Sequence, residues 1–190
     1  DAQPSGSLDE AIAARRDAAR LWHEQGHADR AAVTLARLAL HYTLAGRNAE
    51  AEATMRDARA LAVGHGGTPA SFIVQRCAAA LHMMDSEGDE GIALAAPALA
   101  DAEQRQDTDE IIEGHLTVGL GWFCVDRADD GIRHLQRALL LAERTGRDRG
   151  VARVLANLGS CCAEALRLDE AEGALRRGID FCADRDLDAQ

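Results

Sequence analysis

Apolar residues recur every three or four positions along nearly the whole chain, a spacing typical of one buried face of an α-helix. Short polar or glycine-containing stretches interrupt this pattern at regular intervals. The pattern therefore predicts an all-α fold of about nine helices. The predicted bounds are 8–25, 28–45, 48–63, 68–85, 88–104, 108–126, 128–145, 148–166 and 168–183.

The helices after the first form pairs that repeat every 40 residues without insertion or deletion. Three columns of this repeat contain only alanine or glycine, which predicts close approach between helices. The columns are Ala39, Ala79, Gly119 and Gly159; Ala51, Gly91, Gly131 and Ala171; and Ala58, Ala98, Ala138 and Gly178. We expect a single helical-repeat domain over 1–190. It consists of a leading helix at 8–25 and repeats at 28–67, 68–107, 108–147 and 148–187.

Residues at the predicted helix ends support this division. Thr68, Thr108 and Asp148 stand where the first helix of a repeat needs an N-cap, and Pro69 fits a first helical position. Pro97 falls inside a predicted helix, which it should kink or shorten.

Composition and charge exclude several function classes. The net charge is −11 and all 21 basic residues are arginines scattered along the chain, which disfavours direct binding to nucleic acid or membrane surfaces. No apolar run is long enough to cross a bilayer. The five cysteines have no C-x-x-C spacing, so we expect reduced thiols in a cytoplasmic protein and no metal site.

The column pattern resembles the tetratricopeptide repeat, in which small residues let paired helices approach and a bulky residue fills the space between them. The period of 40 is longer than the usual 34 of that family. The resemblance implies a right-handed α-solenoid of tetratricopeptide-like helix pairs. The matching residues of the first full repeat are Leu35, Leu38, Ala39, Tyr42, Gly46, Ala51, Met55 and Ala58.

Residues 152–188 also resemble the repeat region of large actinobacterial LuxR-type transcriptional regulators. Those proteins join an ATP-binding module, a long helical-repeat segment and a C-terminal helix-turn-helix. The resemblance implies a regulatory scaffold and assigns no catalytic residue. With no initiator methionine, the chain is expected to be a segment of a longer protein.

Catalytic and ligand-binding motifs are incomplete wherever the sequence suggests them. The glycines of GHLTVGLGW, residues 114–122, lack the Lys-Ser/Thr pair of a phosphate loop. Gly159-Ser160 lacks the second glycine of a nucleophile elbow, and the seven histidines form no metal-binding run. We therefore predict a protein that is not an enzyme and has no catalytic residue, cofactor or metal.

Stacked helix pairs leave a concave groove lined by their first helices, and this groove is the predicted interaction surface. Arginine and asparagine side chains would anchor an acidic peptide there, and methionines would adapt to apolar partners. The alternative is that most of these residues simply pack between repeats. The predicted groove residues are Arg37, Leu40, Arg76, Met83, Met84, Leu120, Phe123, Arg153 and Asn157.

Two hypotheses of function follow. The first is a non-enzymatic interaction or ligand-sensing scaffold within a LuxR-type transcriptional regulator. The second is a stand-alone or differently housed tetratricopeptide-like domain that binds a peptide in its groove. In either case the partner is a protein or peptide. Phe181 and neighbouring apolar residues near the last helix end predict self-association through the terminal helices.

Overall fold

The computed structural model describes residues 5–63, 67–185 and 187, which form nine α-helices and no strand. Their bounds agree with the predicted ones to within three residues. The helices are α1 (Ser5–Glu24), α2 (Ala28–Leu44), α3 (Asn48–Ala62), α4 (Pro69–Met84), α5 (Gly88–Arg105), α6 (Thr108–Cys124), α7 (Ala128–Arg144), α8 (Asp148–Glu164) and α9 (Leu168–Ala183).

The chain divides into two compact units, unit 1 at Asp1–Leu81 and unit 2 at His82–Gln190, and their boundary falls inside α4. In unit 1, α1 packs on α2 and α2 packs on α3. In unit 2, each helix from α5 to α9 packs on the next, and the first helices α6 and α8 also touch each other. This order of contacts is that of stacked helix pairs.

The small-residue columns lie in the interior, as their spacing predicted. All twelve residues are buried except Gly178, which is half-buried. A Cβ added to Gly119 would lie 3.2 Å from the Gly131 carbonyl oxygen. A Cβ added to Gly131 would lie 2.5 Å from the Phe123 ring and 2.9 Å from the Gly119 carbonyl oxygen. The backbones of α6 and α7 therefore approach too closely for any side chain at Gly131.

The same turn ends seven helices of the described ranges. The N–H of the residue after the turn donates to a carbonyl five residues earlier, as from Arg47 to Tyr42 at 2.8 Å and from Arg147 to Ala142 at 2.9 Å. The turn needs a residue at positive φ, which is Gly46 or Gly146 in two repeats and Leu166 in another. Because the turn recurs unchanged, each following helix starts at the same point of its repeat.

Because of this turn, two N-caps are residues other than those predicted. Thr68 caps α4, as predicted, since its Oγ1 accepts from the Ser71 N–H at 3.3 Å. The predicted cap Thr108 is wrong: the cap of α6 is Asp107, which accepts from the Glu110 N–H at 3.2 Å. The predicted cap Asp148 is wrong as well, because the turn makes Arg147 the cap of α8 and leaves Asp148 in the first helical turn.

Of the two predicted effects of Pro97, a kink or a shorter helix, the shortening does not occur, since α5 runs over 18 residues around it. Pro97 and Ala93, whose carbonyl loses its helical donor, are both exposed. Water can therefore solvate the freed carbonyl, which reduces the cost of the missing bond.

The residue at the repeat position of Tyr42 contacts a side chain five positions later. The guanidinium carbons of Arg47 and Arg127 lie 4.6 and 4.3 Å from the ring centres of Tyr42 and Trp122. In the second repeat, histidine replaces the aromatic residue and glutamate replaces the arginine. There His82 Nδ1 lies 2.6 Å from a Glu87 carboxylate oxygen. In each of these three repeats, a ring thus contacts a charged side chain across the turn.

A buried polar contact joins two helices of unit 2. His115 on α6 is buried, and its Nδ1 lies 3.0 Å from Nδ1 of His134 on α7. Burial, with His134 and Arg137 nearby, lowers the pKa of His115 to about 4. Burial and Arg137 likewise lower the pKa of His134. One ring donates and the other accepts, so the accepting histidine must be neutral and the two cannot both be protonated while the contact persists.

The glycine contact can be tested with matched substitutions. Gly131→Ala should lower the free energy of unfolding by about 1–3 kcal/mol, because the new methyl group overlaps backbone and ring atoms. Gly173→Ala on α9 meets no atom within 4 Å and should raise stability by about 0.5–1 kcal/mol through helix propensity. Urea unfolding measures both. Equal effects of the two substitutions would contradict the close approach of α6 and α7.

The histidine pair predicts that stability falls in mild acid. Because the folded pKa of His115 lies below its ordinary value near 6.5, the unfolded chain takes up protons first as the pH drops through 6.5 towards 4. The loss between pH 7 and pH 5 should be about 1–2 kcal/mol in urea unfolding. His115→Leu, the residue found at the equivalent Leu155, should remove most of this loss. If the variant loses as much stability in acid as the parent does, titratable groups other than His115 cause the loss.

Candidate functional site

The predicted groove residues of unit 1 lie on α2 and α4. Leu40 and Arg37 are half-buried, and Arg76 is buried with only 5% of its surface exposed. Arg37 and Arg76 both interact within the fold. Burial, followed by the charge of Arg37, lowers the pKa of Arg15 on α1. Of these three arginines only Arg76 is buried, and Arg15 and Arg37 remain partly exposed.

The apolar groove residues of unit 2 mostly take part in packing. Met83 is buried, and its Cε lies 2.8 Å from where a Cβ on Gly121 would stand. Leu120 and Phe123 are half-buried against the core formed by α6, α7 and α8. Met84 alone of these four is exposed, to 46%. The structure thus brings Met83, Leu120 and Phe123 into contacts between helices.

A cleft of about 600 Å³ opens between the N-terminal halves of α6 and α8. The predicted residue Arg153 lines it and pairs with Glu113 across the two helices. Asn157, one turn later, donates its side-chain amide to the Arg153 carbonyl at 2.8 Å within α8. The remaining lining residues are Asp109, Ile112, Arg147, Asp148, Arg149, Gly150 and Leu187.

Ion pairs between repeats account for most of the charge in this cleft. Arg147 Nε lies 2.7 Å from Asp109 Oδ1, and Arg153 pairs with Glu113. Asp148, at the start of α8, lies 3.3 Å from Arg185 Nε. Each pair joins an acidic residue to an arginine located 37 to 40 positions later. Sequence analysis missed these pairs because it interpreted Asp148 as an N-cap and compared only the columns of small residues between repeats.

Arg149 is the exception. It occupies the repeat position of Asp109, and Leu187 occupies the position of Arg147. The ion pair between Asp109 and Arg147 is therefore replaced, one repeat later, by an arginine facing an apolar residue. Arg149 is exposed and makes no ion pair with any side chain in the described ranges. Among the described residues, Arg149 thus adds to the cleft a positive charge that no carboxylate pairs with.

Burial disfavours the thiolate form of three cysteines in unit 2. Burial, together with the nearby Glu164 carboxylate, raises the pKa of Cys161 to about 12. Burial also raises the pKa values of Cys124 and Cys162. These thiols stay protonated at neutral pH, whereas a nucleophile or metal ligand needs the thiolate.

Membrane-spanning helices and metal sites are both missing from the part of the chain that the structure describes. None of its helices is long and apolar enough to cross a bilayer. Within the same ranges, no three histidine, cysteine or carboxylate side chains converge in an arrangement that could hold a metal ion.

Comparison with known proteins agrees with the helix pairing. A family profile described as tetratricopeptide repeat matches residues 123–184. No curated protein matches the chain in sequence. A crystal structure of a substituted form of a Podospora anserina protein, assigned as a kinesin light chain with nearly identical TPR-like repeats, superposes with a TM-score of 0.61. The two are 13% identical, and the match covers 96% of this chain and 90% of the other.

At that identity the structural match shows the fold alone. Together with the profile match it confirms the predicted fold class, helix pairs arranged as tetratricopeptide-like repeats. The chain therefore has the fold of tetratricopeptide-like helical repeats, and residues 123–184 are similar in sequence to that family.

Proposed function

We propose that this chain is a non-enzymatic protein-interaction scaffold and that the cleft between α6 and α8 binds an acidic peptide segment. Tetratricopeptide-like repeats generally mediate contacts between proteins. The observation that carries the proposal for this cleft is Arg149, exposed and without an ion pair in the described ranges, beside the ion-paired arginines Arg147 and Arg153. A chain of net charge −11 repels acidic ligands at long range, so a local cation is needed to hold one.

The cleft favours a carboxylate over a phosphate-rich ligand. An arginine fork donates two parallel hydrogen bonds to a carboxylate. Asp109, Glu113 and Asp148 line the same cleft and would oppose the higher charge of a nucleic-acid backbone. Ile112 and Leu187 add an apolar surface for the neighbouring side chain of a peptide.

We further propose that the scaffold is housed in a LuxR-type transcriptional regulator in the cytoplasm, as the resemblance of residues 152–188 suggests. The alternative is a tetratricopeptide-like domain in another setting that binds a peptide in its concave groove. The coding sequence around this segment separates the two. An upstream ATP-binding motif and a downstream helix-turn-helix support the regulator, and their absence from the full reading frame would favour the alternative.

The cleft can be tested by selecting ligands from a random 15-residue peptide library displayed on phage. Peptides enriched by the wild-type chain should contain aspartate or glutamate. Arg149→Glu should weaken their affinity by about tenfold in fluorescence polarisation, because it replaces an attractive charge with a repulsive one. Raising the salt concentration should weaken wild-type binding as well.

Arg144→Glu provides the matched control, because Arg144 is an exposed arginine on α7 outside the cleft. This variant has the same net charge as Arg149→Glu and should bind the selected peptides within about twofold of wild type. Equal losses in the two variants would mean that overall charge, and not the cleft, governs binding. Retained binding by Arg149→Glu would place the site elsewhere.

A further inference from the structure

The opening between neighbouring first helices recurs in unit 1, where its lining is apolar. A pocket of about 330 Å³ lies between the N-terminal halves of α2 and α4, beside the end of α1. Val33 takes the repeat position that Glu113 has in the cleft, and Ile73 takes that of Arg153. Two aliphatic side chains thus replace an ion pair of the cleft. We call this opening the Trp22 pocket, and the described residues that line it are Trp22, Asp29, Arg30, Val33, Thr34, Ala70 and Ile73.

One wall of the pocket is a tryptophan that the repeat packing does not require. The residues at the repeat position of Trp22 are Ala62, Ala102 and Ala142, and all three are buried. Trp22 itself is half-buried and lines the pocket. The indole ring therefore gives the pocket an aromatic wall beside its aliphatic side chains.

A cation stands at the rim of this apolar lining. The Arg30 guanidinium carbon lies 4.7 Å from the centre of the Trp22 ring. Arg30 is exposed and makes no ion pair with any side chain in the described ranges. Asp29, the one carboxylate among the described lining residues, has an interaction of its own. The N–H groups of Arg30 can therefore donate to an acceptor that a ligand brings.

The pocket belongs to the stacking of first helices and not to an end of the chain. In unit 2 the equivalent cleft lies between α6 and α8, with α5 before it and α9 after it, and it is open as well. The volume of the Trp22 pocket is near the lower end of the roughly 300–1,000 Å³ typical of small-molecule sites. A single apolar side chain of a larger ligand therefore suits it better than a whole cofactor.

We propose that the Trp22 pocket binds one aliphatic or aromatic side chain of a peptide in which the neighbouring residue is aspartate or glutamate. Val33, Ile73 and the Trp22 ring remove the apolar side chain from water. Arg30 donates hydrogen bonds to the neighbouring carboxylate, which complements its unpaired charge. The proposal goes beyond the acidic-peptide cleft of unit 2, because it assigns other residues and a specificity for apolar side chains.

The test selects peptides from a random 15-residue phage library on the full chain carrying Arg149→Glu, which removes the unpaired cation of the cleft. Enriched peptides should contain leucine, isoleucine or phenylalanine next to aspartate or glutamate. Val33→Glu combined with Ile73→Arg should weaken their affinity at least about tenfold in fluorescence polarisation, because an ion pair then replaces the apolar walls. Failure to enrich such peptides overturns the proposal. Because Arg149→Glu is present throughout, this result is independent of the proposed cleft.

Ala49→Glu combined with Ala60→Arg is the matched control. Both alanines are exposed on α3 outside the pocket, and this variant also gains one acidic and one basic residue. It should bind the selected peptides within about twofold of the parent, and equal losses in the two double variants overturn the proposal. Melting followed by circular dichroism should show both variants folded, since unit 2 accommodates the same glutamate and arginine at the equivalent positions.

The carboxylate contact is tested with Arg30→Gln, a substitution at an exposed side chain. This variant should weaken a selected peptide about fivefold or more. It should have little effect on the same peptide with its carboxylate changed to an amide, since that peptide offers no charge to pair with. Equal effects of Arg30→Gln on the two peptides overturn the proposal.

Tryptophan fluorescence locates the bound peptide. The chain has two tryptophans, so Trp122→Phe leaves Trp22 as its single indole. In that variant, a selected peptide without tryptophan should shift the Trp22 emission to shorter wavelength, because the apolar side chain displaces water from the ring. Saturable binding with unchanged Trp22 emission places the peptide elsewhere and overturns the proposal.

Discussion

Close approach of helices at alanine and glycine is the constraint on which the rest of this structure depends. Gly131 faces the Phe123 ring and the Gly119 carbonyl oxygen at distances that leave no room for a Cβ. Gly159 packs against the Leu175 side chain as the equivalent Gly119 packs against Leu135. Helices packed so tightly must keep one register, which agrees with the identical step of 40 residues in every repeat.

The helical part of the fold could be predicted closely because its determinants are local or strictly periodic. Helix bounds follow from the spacing of apolar residues, and the small columns predicted which positions are buried. The N-caps at Asp107 and Arg147 could not be placed, since a turn bond to a carbonyl five residues earlier decides where the next helix begins. Whether Pro97 shortens α5 depends on whether its side of the helix faces water. Sequence periodicity alone did not resolve this.

The candidate site could be predicted only in part. Arg153 lines the cleft, but Arg76 and Met83 are buried, because a residue on a first helix can face either the groove or the neighbouring repeat. A signal for the cleft was nevertheless present in the sequence. Acidic residues and arginines 37 to 40 positions apart form the pairs across repeats, and Arg149 interrupts that pattern where it would otherwise have an acidic residue. This interruption is the observation on which the proposed peptide site rests.

The coupling between Gly131 and Phe123 tests the packing account most directly, through a double-mutant cycle of Gly131→Ala and Phe123→Leu in urea unfolding. Truncating the ring makes room for the new methyl group, so the double variant should be more stable than the sum of the two single effects by about 1 kcal/mol or more. Additive effects within about 0.3 kcal/mol would mean that the two residues do not limit how closely α6 and α7 approach, and would contradict the account.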